Sequence, residues 1–336
     1  MKSFFPYLCL SVFLAQTLNA QSLDVDMDSV YRQRDAFIEE MVLRHNLEKG
    51  ELARVLNNVN ISRPVLEAIS RPAEKVMLWR DYRQIFLNET RIQEGVRFWV
   101  DHAGMINAVS EEYGVAPEIL VSILGIETYY GQRTGTYRVV DSLSTLAFAY
   151  PPRSKFFRSE LESFFLLVTE EEIDPEIVTG SYAGAMGAGQ FISSSYREYA
   201  VDGDLDGKRD LWGNWHDILS SVANYFKVHG WRQYEDIVSR ASISLLNRPG
   251  VESVNSMTLD ETILSLKDAG YVFTTQLPAE SLATVLSLQG ENGEEYWVGY
   301  NNFRVITRYN HSVMYALAAY QLAEIIRTQY EQGTTH

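Results

Sequence analysis

Glu127 is the residue whose setting points most directly to chemistry. It lies near the end of Pro117-Glu118-Ile119-Leu120-Val121-Ser122-Ile123-Leu124-Gly125-Ile126-Glu127-Thr128-Tyr129-Tyr130-Gly131. Pro117 suits a first helical turn and Gly131 suits the stop. The residues between are apolar almost all round, which predicts a central, buried helix. Ile119, Ile123 and Glu127 recur at i, i+4 and i+8, so the glutamate shares a stripe with core residues. A buried carboxylate is costly unless it is paired or protonated. Desolvation and the negative end of the helix both raise its pKa. A carboxyl group that stays protonated near neutral pH is what a general acid requires. The alternative is a buried glutamate paired with an arginine or a hydroxyl.

A second constellation suggests a hard cation. Asp202-Gly203-Asp204-Leu205-Asp206-Gly207-Lys208-Arg209-Asp210 fits the early positions of an EF-hand calcium loop: carboxylates on alternate residues, then glycine, with the Lys208 carbonyl oxygen following. The last position holds Gly213 where a bidentate glutamate is expected, which leaves Asp210 or Asp217 to complete the ion site. The alternative is an acidic solvated turn. A third cluster is Ala183-Gly184-Ala185-Met186-Gly187-Ala188-Gly189-Gln190-Phe191. Its glycines would let backbone approach a ligand closely, and the Gln190 amide both donates and accepts. Tight packing is the competing use of those glycines. A phosphate loop is not supported, because no Lys-Ser/Thr follows and no strand leads in.

The elements that must position these groups are mostly helical. Residues 28–75 carry apolar positions at helical spacing, with Pro64 in a first turn. Helical patterning continues over 76–237, interrupted by Gly- and Pro-containing loops. From 238 to 300 the character changes. Ile243-Ser244-Leu245 and Ala283 to Leu288 alternate like strands, Gly290-Glu291-Asn292-Gly293 makes a turn before Tyr296-Trp297-Val298, and Thr258 with Glu261 predicts a capping box for one short helix. Residues 301–336 return to helix. The expected organisation is an N-terminal helical segment (21–75), a core (76–237) containing the loop 202–217, a small mixed α/β insertion (238–300) and a C-terminal helix returning to the core.

Composition narrows the function classes. The 336 residues are 46% hydrophobic and 22% charged, a globular balance. A net charge of −15 argues against non-specific binding to nucleic acid or anionic lipid. Met1–Ala20 reads as a secretory signal, with Lys2, an apolar run from Phe4 to Leu14, and a small residue at Ala20. The sole cysteine, Cys9, lies inside that run, so the mature chain has no thiol chemistry and no disulfide. Cys9 is also misplaced for a lipid acceptor. A soluble secreted protein without a membrane span is expected, with a lipoprotein as the alternative. The six histidines form no HExxH, and no Gly-x-Ser-x-Gly elbow occurs, so zinc and serine hydrolases are unsupported.

The runs Gly125-Ile126-Glu127-Thr128-Tyr129-Tyr130-Gly131 and Ala183 to Phe191 resemble the lytic murein transglycosylase B family (glycoside hydrolase family 103). Ser221-Val222-Ala223-Asn224-Tyr225-Phe226-Lys227, His229-Gly230-Trp231 and Thr307-Arg308-Tyr309-Asn310-His311-Ser312 extend the similarity over essentially the whole mature chain. The resemblance implies a mainly α (α+β) fold: a lysozyme-like helical core, an N-terminal α domain and a small β-containing insertion. It implies cleavage of the MurNAc–GlcNAc β-1,4 bond of peptidoglycan without water, leaving 1,6-anhydro-MurNAc. Glu127 would be the single acid then base, with Ser181 orienting its carboxyl group. Tyr82 and Tyr225 match subsite aromatics, and Arg153, Gln190 and Phe191 match substrate-binding positions. Calcium would be structural, held by Asp202, Asp204, Asp206, the Lys208 carbonyl and Asp217. The implied partners are glycan strands and cell-wall remodelling proteins.

Two departures put peptide-stem and distal-sugar contacts in doubt. A Tyr-Pro-Arg-Arg loop of the family reads Tyr150-Pro151-Pro152-Arg153 here, and two aromatics appear as Val298 and Arg304. The rival functions are a hydrolytic muramidase, which needs a second carboxylate such as Asp141, Glu160 or Glu162, and a catalytically inactive peptidoglycan-binding scaffold.

Overall fold

A computed structural model describes residues 25–70, 77–244 and 255–334. The expected secretory segment Met1–Ala20, with Cys9, lies outside the described residues, as does Leu245. The first helices are α1 (Met27–His45), α2 (Lys49–Asn57), α3 (Arg63–Ser70), α4 (Trp79–Phe86), α5 (Glu89–Asp101), α6 (Ala103–Tyr113) and α7 (Pro117–Thr128). They are followed by β1 (Tyr137–Arg138), α8 (Val139–Ala149), α9 (Ser154–Glu170), β2 (Thr179–Gly180), α10 (Ser193–Tyr199) and α11 (Trp215–Val228). The chain continues through β3 (Val238–Ile243), β4 (Glu261–Thr262), α12 (Ile263–Asp268), β5 (Tyr271–Val272), β6 (Leu282–Gly290) and β7 (Gly293–Gly299), then α13 (Asn301–Tyr309) and α14 (Val313–Thr334). The fold is mainly α with a small β insertion.

The chain forms two compact units, and neither is continuous in sequence. Their boundaries at 130/131 and 218/219 divide the 76–237 segment between them. In the first unit, residues 25–70 pack with 131–218. Here α8 is buried over nearly its whole length and lies against α9, α1 and α3. Phe37 of α1 meets Phe148 at 5.9 Å and Phe165 at 6.2 Å between ring centres. The buried Glu160 accepts hydrogen bonds from Ser194 N at 3.0 Å and Ser194 Oγ at 2.8 Å, which ties α9 to the start of α10. Burial pushes the Glu160 carboxyl above its ordinary pKa.

In the second unit, α7 packs against α14, α5 and α6. Ile119 to Ile126 are all buried. Each buried Ile, Leu or Val there contributes about 1.5–3 kcal/mol through water exclusion, which is why an all-apolar helix occupies the centre of the unit. The insertion is a five-stranded sheet in the order β4-β6-β7-β3-β5. Strands β6 and β7 form a hairpin closed at Gly290↔Gly293, with Leu286 opposite Trp297. Ile263, Leu266, Tyr271, Val285, Val298 and Tyr300 are buried in its core.

One expectation about this insertion is corrected. The capping box is made by Thr262 and Ser265, not by Thr258 and Glu261: the Thr262 hydroxyl accepts from Ser265 N at 3.1 Å, and the Ser265 hydroxyl accepts from Thr262 N at 2.9 Å. Glu261 pairs with Ala283 in β4, so it is extended rather than helical, and its carboxylate accepts from the Ser265 hydroxyl. Thr258 is held by Ser256 and Asp260.

Candidate active site

Helix α7 starts where Pro117 fixes the first turn and where Ile119 N and Leu120 N bond back to Ala116 O. It ends three residues before Gly131. Tyr129 adopts left-handed φ 55° and ψ 51°, and the N–H groups of Tyr129 and Tyr130 both reach back to Leu124 O, the second at 3.0 Å. Tyr130 (φ 58°) and Gly131 (φ 80°) continue in the same region. The chain therefore reverses sharply just after Glu127 and leaves it in the helix's last turn.

Glu127 keeps partial solvent access. The Tyr315 hydroxyl, on the first turn of α14, donates to Glu127 Oε1 at 2.5 Å. Desolvation raises the carboxyl from its ordinary 4.5 to about 7, against the lowering effect of that hydrogen bond. The phenols respond in kind: burial and the neighbouring Glu127 charge push both Tyr309 and Tyr315 well above the usual tyrosine range. The Ser312 hydroxyl accepts from Tyr315 N at 3.2 Å, and this cap fixes where α14 begins and so where Tyr315 points. The Tyr309 ring stacks on Phe226 (5.6 Å, 13°) and meets Tyr225 edge-on at 5.0 Å. Tyr225 stacks on His229 at 4.1 Å and donates to Arg308 O at 2.6 Å. Tyr82 is 5% exposed, packed at 5.4 Å on Phe86. Sequence reasoning gave no role to Tyr309 or Tyr315. A signal was available for Tyr315, three residues after a Ser that could start a helix.

The other candidate residues lie in the first unit. The Ser181 hydroxyl accepts from Ala183 N (3.3 Å) and Ala185 N (3.0 Å), which leaves its single proton to donate. Gln190, at φ 52°, commits its amide N–H groups to Thr134 O and Gly187 O, both at 3.1 Å. Phe191 is 3% exposed, so its ring is core. Arg153 holds its guanidinium 4.6 Å from the Phe156 ring centre. The glycines serve close packing at two positions. A Cβ at Gly187 (φ 69°) would come within 2.4 Å of Leu211 O, and one at Gly184 (φ 84°) within 2.5 Å of Leu143. The three candidate second carboxylates each have structural partners. Asp141 pairs with Arg138 at 2.9 Å, Glu160 with Ser194, and Glu162 with His45 at 2.7 Å and Arg44 at 3.0 Å. At the departures from the family pattern, Val298 is buried in the sheet and Arg304 donates to Asn301 Oδ1 at 3.2 Å.

The acidic loop gathers Asp202, Asp204 and Asp217, whose carboxylate oxygens lie within 4.8 Å of one another. That separation is about twice a Ca–O bond of 2.3–2.6 Å, so the oxygen donors fit a calcium ion. Asp217 is fully buried and accepts Gly203 N and Asp210 N, both at 2.7 Å. Its carboxyl is raised by desolvation and by the charges of Asp204 and Asp202, a strain that a cation would relieve. Asp206 instead accepts Lys208 N at 2.9 Å, and Asp210 accepts Trp212 N and Gly213 N.

Residues 29–324 match the family described as the transglycosylase SLT domain. The chain is 38% identical over 299 residues to the membrane-bound lytic murein transglycosylase B of Escherichia coli (strain K12), covering 86% of this chain and 81% of that protein. It is similar to the crystal structure of the soluble lytic transglycosylase SltB1 from Pseudomonas aeruginosa, at 45% identity and a TM-score of 0.82, covering 88% of this chain and 99% of that one. The Escherichia coli lytic transglycosylase Slt35 in complex with calcium aligns at 37% identity and a TM-score of 0.81, covering 89% of this chain and 93% of the other.

Proposed function

The chain belongs to the transglycosylase SLT domain family and is a peptidoglycan lytic transglycosylase of lysozyme-like, mainly α fold, and from that premise we propose that it cleaves the MurNAc–GlcNAc β-1,4 bond without water, with Glu127 as its only acid and base. The observation that carries this is the carboxyl group of Glu127, held protonated to about pH 7 and surrounded in its unit by phenols.

In the first step the Glu127 carboxyl gives its proton to the glycosidic oxygen. The C1–O bond of MurNAc breaks, the GlcNAc side leaves as an alcohol, and the substrate's own N-acetyl group supports the developing charge at C1. In the second step the Glu127 carboxylate takes the proton of the C6 hydroxyl as O6 closes onto C1. The enzyme returns to its starting state and no water is consumed. A carboxyl with pKa near the working pH suits both halves, because it must be an acid and then a base. Tyr315 holds the carboxylate formed midway by donating to it. In this reading Tyr82 and Tyr225 shape the sugar site in the unit that carries Glu127. Gln190 and Phe191 fix the glycine loop of their own unit, where Ser181 keeps a proton to donate and Arg153 offers a cation to substrate.

We assign a structural calcium ion to Asp202, Asp204 and Asp217, with Asp206 and the Lys208 carbonyl completing the loop; the convergence of three carboxylates supports it. Residues 202–217 belong to the 76–237 catalytic segment of this scheme, flanked by the 21–75, 238–300 and 301–336 segments. No helix among the described residues is long and apolar enough to cross a membrane. With Met1–Ala20 as a secretory signal, the periplasm is the proposed compartment.

The deciding experiment digests purified sacculi with the mature protein and with Glu127→Gln, and reads products by mass spectrometry. Muropeptides lighter by one water than their reducing counterparts, formed only by the wild type, are expected. Reducing ends would mean a hydrolytic muramidase, and binding without any product would mean an inactive scaffold.

A further inference from the structure

We propose, resting on the assignment of Glu127 as the acid and base, that Arg91 is a positioning residue that locks the last turn of α7 against the end of α4, and so sets Glu127 against the helix that carries Tyr82.

Arg91 lies on α5 and is 8% exposed. Its Nε donates to Gly125 O at 3.0 Å, and its Nη1 donates to Ile85 O. Gly125 lies in the last turn of α7 and Ile85 in the last turn of α4, so one cation meets the negative ends of two helices. The flat guanidinium lies 5.4 Å from the Phe86 ring centre and 5.0 Å from that of Tyr129. Packing alone does not call for a buried cation at this place, since an apolar side chain would fill the space without a desolvation cost.

The segment it braces is strained. Tyr129 and Tyr130 both hold positive φ, a region that side chains other than glycine and asparagine seldom occupy, and they do so directly after the residue that must be placed most accurately. The Arg91 guanidinium covers the Tyr129 ring, and the main-chain carbonyl at the same position accepts from Tyr130 Oη at 2.8 Å. The Tyr130 ring in turn enters a notch available only because Gly95 and Gly125 lack side chains: a Cβ would lie 2.4 Å and 2.6 Å from Tyr130 Oη. Helices α5 and α7 are thus keyed together at the turn that follows Glu127.

The titratable groups facing Glu127 are Tyr315 from α14 and Tyr309 from α13, with Tyr225 of α11 beside Tyr309 and Tyr82 of α4 acting on Tyr315. From α5, Arg91 and Glu94 act on Tyr130. At the far end of α7, Glu118 faces Arg327 of α14. Loosening the Arg91 brace lets the last turn fray, admits water to the carboxyl group, and moves it off the Tyr315 hydroxyl.

The test compares wild type, Arg91→Met, Arg91→Lys, Tyr130→Phe and Glu127→Gln on soluble uncrosslinked glycan strands, with kcat, KM, the pH profile of kcat and the melting temperature. Arg91→Met is expected to lower kcat about 10- to 100-fold with KM changed by less than about twofold, the pattern of a misplaced catalytic group rather than weakened binding. The alkaline limb of kcat moves to lower pH, because desolvation outweighs the Tyr315 hydrogen bond in setting the Glu127 pKa and regained water removes the larger effect. Arg91→Lys keeps the charge but not the two-carbonyl fork, so it moves in the same direction by less and carries the test if Arg91→Met does not fold. Tyr130→Phe, whose lost bond is to the main chain, leaves the fork intact and should move kcat less than either. A lowered melting temperature with kcat and the alkaline limb unmoved in these variants would overturn the proposal. Retained activity in Glu127→Gln would instead refute the assignment on which it rests.

Discussion

Replacing the acid with its neutral isostere should stabilise this enzyme, and only above the pH at which the acid ionises. The Glu127 carboxyl has its folded pKa raised from 4.5 to about 7, so folding binds the proton more tightly than the unfolded chain does. The stability linked to that proton is fully present below about pH 4.5 and is lost as pH rises through about 7. At about 1.4 kcal/mol per tenfold change in proton affinity, ionised Glu127 costs the fold up to about 3 kcal/mol at pH 8.5. Partial solvent access reduces this, and about 2 kcal/mol is the expected difference. Glu127→Gln keeps an oxygen to accept from Tyr315 Oη and carries no charge, so it escapes the cost. Calorimetric melting of both proteins across pH 4.5–8.5 measures it, because every other titration cancels in the difference. Near pH 4.5 the two should melt together. At pH 8.5 the variant should melt higher by about 4–8 °C, at roughly 2–4 °C per kcal/mol for a unit of this size. Equal melting temperatures at both ends of the range would refute the claim that burial holds this carboxyl protonated.

Tyr315→Phe removes the donor that favours the carboxylate, so the pKa of Glu127 should rise further. The alkaline limb of kcat should move up by about one to two pH units, given about 1.5–3 kcal/mol for a hydrogen bond to a charged group, and a pH–rate profile checks it. Chelating calcium should lower the melting temperature of the wild type, and saturating calcium at about 1,000 times its Kd should restore about 4 kcal/mol. Asp217→Asn should melt lower than the wild type and lose that response, because its buried carboxylate is the member of the cluster that reaches across from α11. Equal melting of the wild type with and without calcium would remove the ion from the account.

What the sequence revealed about the site was set by the range over which its pattern extends. Glu127 was visible because a helix writes its faces into consecutive turns: Ile119, Ile123 and Glu127 fall on one stripe whatever packs against it. The acidic loop was visible for the same reason, since its early donors lie within a few residues. Its closure at Asp217 depended on how the loop folds back, which local spacing left open between Asp210 and Asp217. The partner that tunes the acid was not legible, because Tyr315 lies 188 residues away and only the packing of α14 on α7 brings it in. The capping box failed through the same competition. Thr258 and Glu261 satisfied the local pattern, but pairing of Glu261 with Ala283 drew that residue into a strand and moved the helix start to Thr262. The unit boundaries at 130/131 and 218/219 leave no local mark either, since the association of 131–218 with 25–70 rests on contacts such as Phe37 with Phe148. The sharp turn after Glu127 combines both cases. Gly131 announced a helix stop, but the helix ends earlier, at residues with no local preference for positive φ, and what makes that affordable is an arginine from another helix.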